Sequence, residues 1–339
     1  MDLFLFPQSA DQSNGFSQEV WRSYQRVKPK PEDYVVWYTD NHTFPAGRSQ
    51  NDFFLPKISN FHWRRFYNLF RQRPTSSIFA KDLSFLKGKN FDRIHCDDVA
   101  MYPAVRDIFP DKHITVHFHN CFLRIIARNK IYKAPLGWKF RMDLYSIKEV
   151  EHQIFRDRNT DKIFICEEDM AYYRLMTGYQ DGVVWSVDLD FASAEKNRKP
   201  LDFDNKLIWF GGLESHKMFS MKVFLKYVWS KVRHAVPDAD FHLWGKNTQF
   251  LDFPEKGVFG HGFFEGDGFP LDGKGLYVNP DILGGGVKTK LKYYFDNGIP
   301  FLSTPFGFEG YPLHVIDNRY CQVAPMEEWA KILIGKLKQ

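Results

Sequence analysis

Short apolar runs bounded by turn residues recur along the whole chain: Leu3–Phe6, 34–39 (YVVWYT), 91–95 (FDRIH), 114–119 (ITVHFH), 162–166 (KIFIC), 183–187, 207–210 (LIWF), 241–244 and 301–304 (FLST). Runs of this length and bounding predict buried strands. Between them, helical spacing of apolar positions predicts helices over residues 17–26, 99–108, about 144–158, 219–235 and 326–337, with another opening at Glu167, where Glu168 and Asp169 suit the helix dipole. Strand and helix alternate through both halves, which predicts an α/β protein built on mostly parallel sheets.

At 339 residues the chain exceeds one ordinary domain, and two are expected. The polar, proline-bearing stretch at 193–204 reads as a linker. The division is therefore residues 1–190 and 191–339. The terminal helix is a candidate to pack back on the first domain. Hydrophobic residues make up 44% and aromatics 17%, which excludes a disordered chain. Cys96, Cys121, Cys166 and Cys321 are widely spaced, so neither a zinc knuckle nor a disulfide framework is indicated. No apolar run is long enough to span a bilayer, and MDLFLFPQ is too short and too acidic for a secretory signal. A cytoplasmic location is expected.

Charge placement adds to this picture. The first 180 residues hold 27 Lys and Arg against 21 Asp and Glu, a bias that suits an anionic partner such as a membrane surface or a lipid-phosphate substrate, as well as an ordinary solvated surface. Within that half, 61–73 (FHWRRFYNLFRQR) places aromatics at helical spacing with arginines between them. Such a helix either lies in a membrane interface or docks its stripe on the domain. No nucleic-acid module accompanies the charge, and nucleic acid is not an expected partner. A nicotinamide dehydrogenase is excluded too, because no G-x-G-x-x-G follows a strand.

The chemistry concentrates in 278–311. Gly284, Gly285 and Gly286 strip side chains from the turn after a strand, leaving backbone N–H groups open to close approach. Val287, Lys288 and Lys290 follow, the lysines in the expected first turn of a helix, where they oppose the dipole but suit a phosphate. Gly298 and Pro300 end that helix. A second strand-to-helix turn carries Gly211 and Gly212, then His216 and Lys217. In the first half, strand alternation puts His117 and His119 on one face. With no third His, Cys or carboxylate at diagnostic spacing, metal is not expected there. His119 and Asn120 close their strand, where α/β folds gather ligands, and are preferred to His117.

GGGVKTKL followed by DNGIPFLSTPFGFEG resembles the signature of the family 4 (group 1) glycosyltransferases, roughly G-x-G-x-K-x-K, then A-x-G-x-P-V-V-x-T and G-x-E-G. FGGLESHKMFSMKVFLKYVWSKVRHAVPDADFHLWGK resembles the opening of that family's C-terminal domain, and DKIFICEEDMAYYRLMTG its last N-domain strand and helix. The resemblance implies the GT-B fold, two doubly wound Rossmann-like domains facing across a cleft. It implies a glycosyltransferase that moves a sugar from a nucleoside-diphosphate sugar to a glycan or lipid-linked acceptor in cell-surface polysaccharide or glycoconjugate synthesis, with retention, no metal and no cofactor beyond the donor substrate.

By position, the resemblance places His119 at the donor sugar and Lys217 and Lys288 at the diphosphate as catalytic cations. Gly211, Gly212, His216, Gly285, Gly286, Val287, Lys290, Tyr293 and Glu309 would bind the donor. Acceptor contacts are expected from Asn14, Gly15, Asp97, Asp98 and Asn120. Should the reaction invert, a base is needed, and Asp97, Asp98 or His119 would serve. One departure stands out: the family's E-x₇-E pair aligns with Gly285 and Tyr293, and tyrosine cannot accept two ribose hydroxyls as a carboxylate does. That departure motivates the competing expectation of a non-catalytic GT-B module that binds nucleotide or glycan for a partner subunit.

Overall fold

A computed structural model of the chain describes residues 1–7, 15–39, 51–57, 63–75, 77–133, 138–213, 215–263, 274–317 and 319–338. Its contacts separate two compact units, one comprising Met1–Ala127 and Gly137–Ser186, the other Arg128–Leu136 and Val187–Gln339.

The first unit contains β1 (Leu3–Phe6), β2 (Tyr34–Tyr38), β3 (Asn51–Leu55), β4 (Ile94–Cys96), β5 (Ile114–Phe118), β6 (Thr160–Phe164) and β7 (Val183–Val184). They form one sheet in the order β3-β2-β1-β4-β5-β6-β7, and every pair is parallel. Parallel sheets are covered on both faces, so both alternating sets of a strand must be apolar. β1 satisfies this: Leu3 and Leu5 join a core with Val36, Val116 and Phe164, while Phe4 and Phe6 pack on the other face with Val20 and Trp37. Strand order reverses between β1 and β4, which makes the loops beyond their carboxyl ends the natural ligand position of this unit.

The second unit holds β8 (Lys206–Phe210), β9 (Asp240–Trp244), β10 (Val258–Gly262), β11 (Leu276–Asn279), β12 (Phe301–Ser303) and β13 (Cys321–Val323). Their order is β10-β9-β8-β11-β12-β13, again all parallel. Here the reversal lies between β8 and β11. The helix expected over 219–235 begins earlier, at Ser215, and passes through a π-helical turn, Leu225–Trp229, into Ser230–Ala235.

Several expectations are corrected. The stretch read as linker is partly helical: Phe191–Lys196 is capped by Asp190, whose carboxylate accepts from Ser193 N at 2.9 Å, and Phe191 packs edge-on against Phe295 at 5.2 Å. The terminal helix, Trp329–Leu337, inserts Trp329, Leu333 and Leu337 into the core of the second unit. Two helices, Phe122–Tyr132 and Trp138–Arg156, occupy the region where one was expected from about 144. Edge strand β3 (NDFFL) went unpredicted because its residues are only half-buried and begin with two polar side chains. The basic, aromatic segment is helical over Trp63–Phe70; Trp63 and Tyr67 meet Phe79 edge-on at 6.2 and 5.6 Å, while Phe66 and Phe70 face solvent. Among the described residues no helix is long and apolar enough to cross a membrane.

Candidate functional site

In the second unit three loops meet at the carboxyl ends of β8, β11 and β12. The loop after β8 is laced to the one after β9: Gly211 N donates to Trp244 O and Leu213 N to Lys246 O, both at 2.9 Å. Gly245, at φ +123°, fits only as glycine, because a Cβ there would lie 2.3 Å from Gly211 O. Gly212 differs. A Cβ on it would meet nothing closer than Lys246 at 3.9 Å, so the fold does not demand glycine there, and the missing side chain leaves room beside the backbone.

The loop after β11 approaches the same place. Gly284 (φ +117°) lies against His216, whose ring a Cβ would meet at 3.0 Å, and Gly286 also has a positive φ. Lys288 caps the helix Thr289–Asp296. Its buried Nζ donates to Gly285 O at 2.9 Å and Gly286 O at 2.8 Å, which holds the glycine turn closed under the helix. Tyr311 braces the same turn, donating to Lys288 O at 2.8 Å and accepting from Lys292 N at 3.0 Å. Gly307 presses on the strand ends, where a Cβ would stand 2.2 Å from Asn279 Nδ2.

The electrostatics of this cluster favour an anion. Asp281 is buried, which alone would raise its pKa, but Lys290, Lys217 and Lys288 outweigh burial and hold it below the usual carboxylate range. Lys290 Nζ is 3.2 Å from its carboxylate and 4.8 Å from the centre of the Trp209 ring. Burial pushes Lys288 and Lys290 down to about 8, against the pull of Asp281. One buried carboxylate among three lysines leaves surplus positive charge at the start of a helix, an arrangement that suits phosphate.

The first unit carries a different cluster at its own strand-order reversal. Asp97, directly after β4, is fully buried. Its carboxylate accepts from Ser23 Oγ, from His117 Nδ1 at 2.9 Å and from His119 Nε2 at 3.1 Å, with His95 Nε2 3.7 Å away. Trp185 stacks on His95 and meets His117 edge-on. Burial opposes charge on every member. For His119 the Asp97 carboxylate overcomes it and pushes the pKa up to about 9, while burial and the neighbouring His119 charge push His117 down to about 4. Asp97 itself stays well below the usual range, because the histidines outweigh its desolvation. The network is thus an aspartate–imidazolium pair with a neutral histidine beside it.

Asp97, His117 and His119 bring their ligand atoms within 4.8 Å of one another, close enough to admit a metal ion. The reason for setting metal aside, the lack of a third group, is therefore corrected: Asp97 supplies it from a neighbouring strand end. The same atoms are joined here by hydrogen bonds that use the protons a metal would displace.

The loops bring together Gly211, Gly212, His216, Lys217, Gly285, Gly286, Val287, Lys288 and Lys290. Tyr293 lies further along the helix, half-buried and edge-on to Phe210 at 5.9 Å; burial raises its pKa. Glu309 accepts a hydrogen bond from Arg128, whose segment groups with this unit. In the first unit Asp97, expected at the acceptor, is buried, with its oxygens hydrogen-bonded to Ser23, His117 and His119. Asp98 caps its own turn through Ala100 N at 2.7 Å. Asn120 is half-buried beyond β5, Gly15 opens the helix Gly15–Val27, and Asn14 lies outside the described residues. Sequence reasoning missed Asp281, Ser23 and His95 and set His117 aside. The one available signal for Asp281 was an acid two residues past a strand end beside a lysine-rich turn.

No protein-family model matches the sequence, and no curated protein does. Solved structures do match the fold. WaaG, a glycosyltransferase involved in lipopolysaccharide biosynthesis, superposes with a TM-score of 0.62 at 15% identity over all of this chain and 91% of its own. Sucrose-phosphate synthase from Thermosynechococcus elongatus gives 0.63 at 13% identity, over all of this chain and 89% of its own. Anabaena HepE, solved in complex with UDP and glucose, gives 0.57 at 10% identity, over all of this chain and 90% of its own. Two parallel, doubly wound α/β units matching these proteins along the full chain make this a GT-B fold.

Proposed function

We propose that this protein is a glycosyltransferase that takes a sugar from a nucleoside-diphosphate sugar and delivers it to a hydroxyl of a glycan or lipid-linked glycan. The observation that carries this reading is the cation cluster of Lys217, Lys288 and Lys290 around one buried carboxylate, at the N-terminus of the Thr289–Asp296 helix and beside the unconstrained Gly212. In such a transfer the bond from the anomeric carbon to the β-phosphate oxygen breaks, and negative charge grows on that phosphate. Fixed N–H dipoles and lysines aimed there stabilise the transition state more than the ground state. The lysines take the place a divalent cation would otherwise hold. Under retention the acceptor oxygen bonds to the anomeric carbon on the face the diphosphate leaves, and its proton goes to the departing phosphate oxygen.

The test is a nucleoside-diphosphate panel read by thermal shift, followed by donor hydrolysis with the sugar nucleotide whose diphosphate binds. Lys217→Ala should lower hydrolysis roughly 100- to 1,000-fold, as loss of one transition-state cation does. Unchanged hydrolysis and nucleotide affinity in that variant would refute the assignment. NMR of the anomeric product decides between retention and inversion.

Tyr293 favours a second reading, a binding module without turnover, since no carboxylate stands at that helix position. Tight nucleotide binding with no hydrolysis across the whole donor panel would establish it.

A further inference from the structure

We infer that the Trp63–Phe70 helix is a docking surface for an anionic lipid bilayer, its aromatic stripe entering the headgroup–acyl boundary and the exposed Arg71 that follows it meeting lipid phosphate. This inference goes beyond the donor site and does not depend on it.

The orientation of the helix carries the argument. Trp63, Phe66, Tyr67 and Phe70 are spaced to share one face, and in a water-soluble domain that face normally turns inward. Here it turns largely out: Trp63 is 63% exposed, Phe66 69%, Tyr67 44% and Phe70 86%, with Trp63 and Tyr67 touching the domain only edge-on at Phe79. Polar side chains hold the opposite face down. Asn68 is fully buried and donates to Ser77 O at 2.8 Å. Arg64 makes a two-pronged pair with Asp82 at 3.0 and 3.1 Å and lies 4.7 Å over Phe79. Rolling the helix to bury its stripe would break these contacts and strand a buried amide. The outward aromatic face is therefore fixed by specific bonds.

Charge and size select the occupant. Between Asp52 and Asp82 the sequence has six Lys and Arg and no Asp or Glu, although two of them, Arg64 and Arg73, are paired with Asp82 and Asp107. Exposed Arg71 lies beside the Tyr67 ring at 6.0 Å, so cations border the stripe. Trp, Tyr and Phe flanked by Arg is the composition that settles at a membrane–water interface. Four side chains on a two-turn helix offer far less than the roughly 800 Å² per partner of a stable protein–protein contact, but are enough for reversible interfacial binding aided by anionic lipid.

The experiment is flotation of the full chain with phosphatidylcholine vesicles and with phosphatidylcholine–phosphatidylglycerol vesicles, at low and high salt. The wild type should float with the anionic vesicles, and salt should weaken it. Phe66→Glu/Phe70→Glu removes no buried contact, so it should keep the wild-type circular dichroism and Tm while partitioning roughly tenfold less or worse. Should that variant fail to fold, quenching of Trp63 by brominated lipid, compared between wild type and Trp63→Phe, reads the same contact. The inference is overturned if the wild type ignores anionic vesicles, if it binds neutral and anionic vesicles equally, or if the glutamate variant binds undiminished. A concentration-dependent dimer abolished by the glutamates, without vesicle binding, would also overturn it by assigning the face to a second copy.

Discussion

Asp97→Asn is the most informative single substitution in the first unit, because it removes one charge from a sealed network while keeping its shape. His119 Nε2 lies 3.1 Å from Asp97 Oδ2. At a charge separation of about 4 Å and an effective permittivity of about 20, the attraction is about 4 kcal/mol. Burial of the imidazolium opposes it, and the balance leaves His119 at about 9 against an ordinary 6.5. At about 1.4 kcal/mol per pH unit, that difference is on the order of 3 kcal/mol. The raised pKa belongs to the folded state, so this stabilisation is complete below about pH 6.5 and is lost as pH rises through about 9.

In the variant the main attraction vanishes, which leaves burial against the weaker pull of Asp98 and Glu19, so His119 should fall well below about 9 and lose most of its charge as pH rises past its ordinary value. Urea denaturation at about pH 6 and about pH 9.5 measures this. The gap in stability between wild type and variant should shrink by on the order of 3 kcal/mol from the lower pH to the higher. Comparing the two proteins also cancels the opposing contribution of Lys288 and Lys290. Their lowered pKa values make burial of their charge a burden at pH 7 that is relieved between about 8 and the ordinary lysine value. Nitrogen-15 spectra of the histidines supply an independent reading. A neutral His119 in the wild type at pH 7, or a gap that is the same at both pH values, would refute the aspartate–imidazolium assignment.

Gly212→Ala and Gly245→Ala should separate binding from folding. The first meets only Lys246 at 3.9 Å and should leave stability within about 0.5 kcal/mol while weakening nucleoside-diphosphate affinity; the second drives a Cβ to 2.3 Å from Gly211 O and should lower stability by about 1–3 kcal/mol or more, both read by denaturation and calorimetric titration. Nucleoside-diphosphate binding should take up protons near pH 8 and weaken above it, as Lys288 and Lys290 lose charge; calorimetry in two buffers of different ionisation enthalpy checks this, and affinity constant from pH 7 to 9 would contradict it. EDTA should change neither Tm nor donor hydrolysis, whereas a stoichiometric metal in the purified protein that disappears in His117→Ala would reassign the Asp97 network as a metal centre.

What was legible in the sequence was whatever local pattern determines. Apolar runs such as LIWF and KIFIC became parallel strands because both faces of such a sheet are buried. The Gly284–Gly286 turn and its lysines stand at a helix opening because glycine conformation and helix geometry are local matters. The Asp97 network was hidden because its members sit far apart in sequence, with Ser23, His95, His117 and Trp185 joined only by a strand order that sets β4 between β1 and β5. The same distinction explains the Trp63–Phe70 helix. Periodicity showed that its aromatics share a face, but which face turns inward depends on Asn68 reaching Ser77 and Arg64 reaching Asp82. Buried polar partners have directional bonds to satisfy, and a short stripe of exposed aromatics does not outweigh them. Where a buried amide and a paired arginine occupy the face opposite an apolar stripe, the polar side chains decide the orientation and the stripe is left for an outside partner.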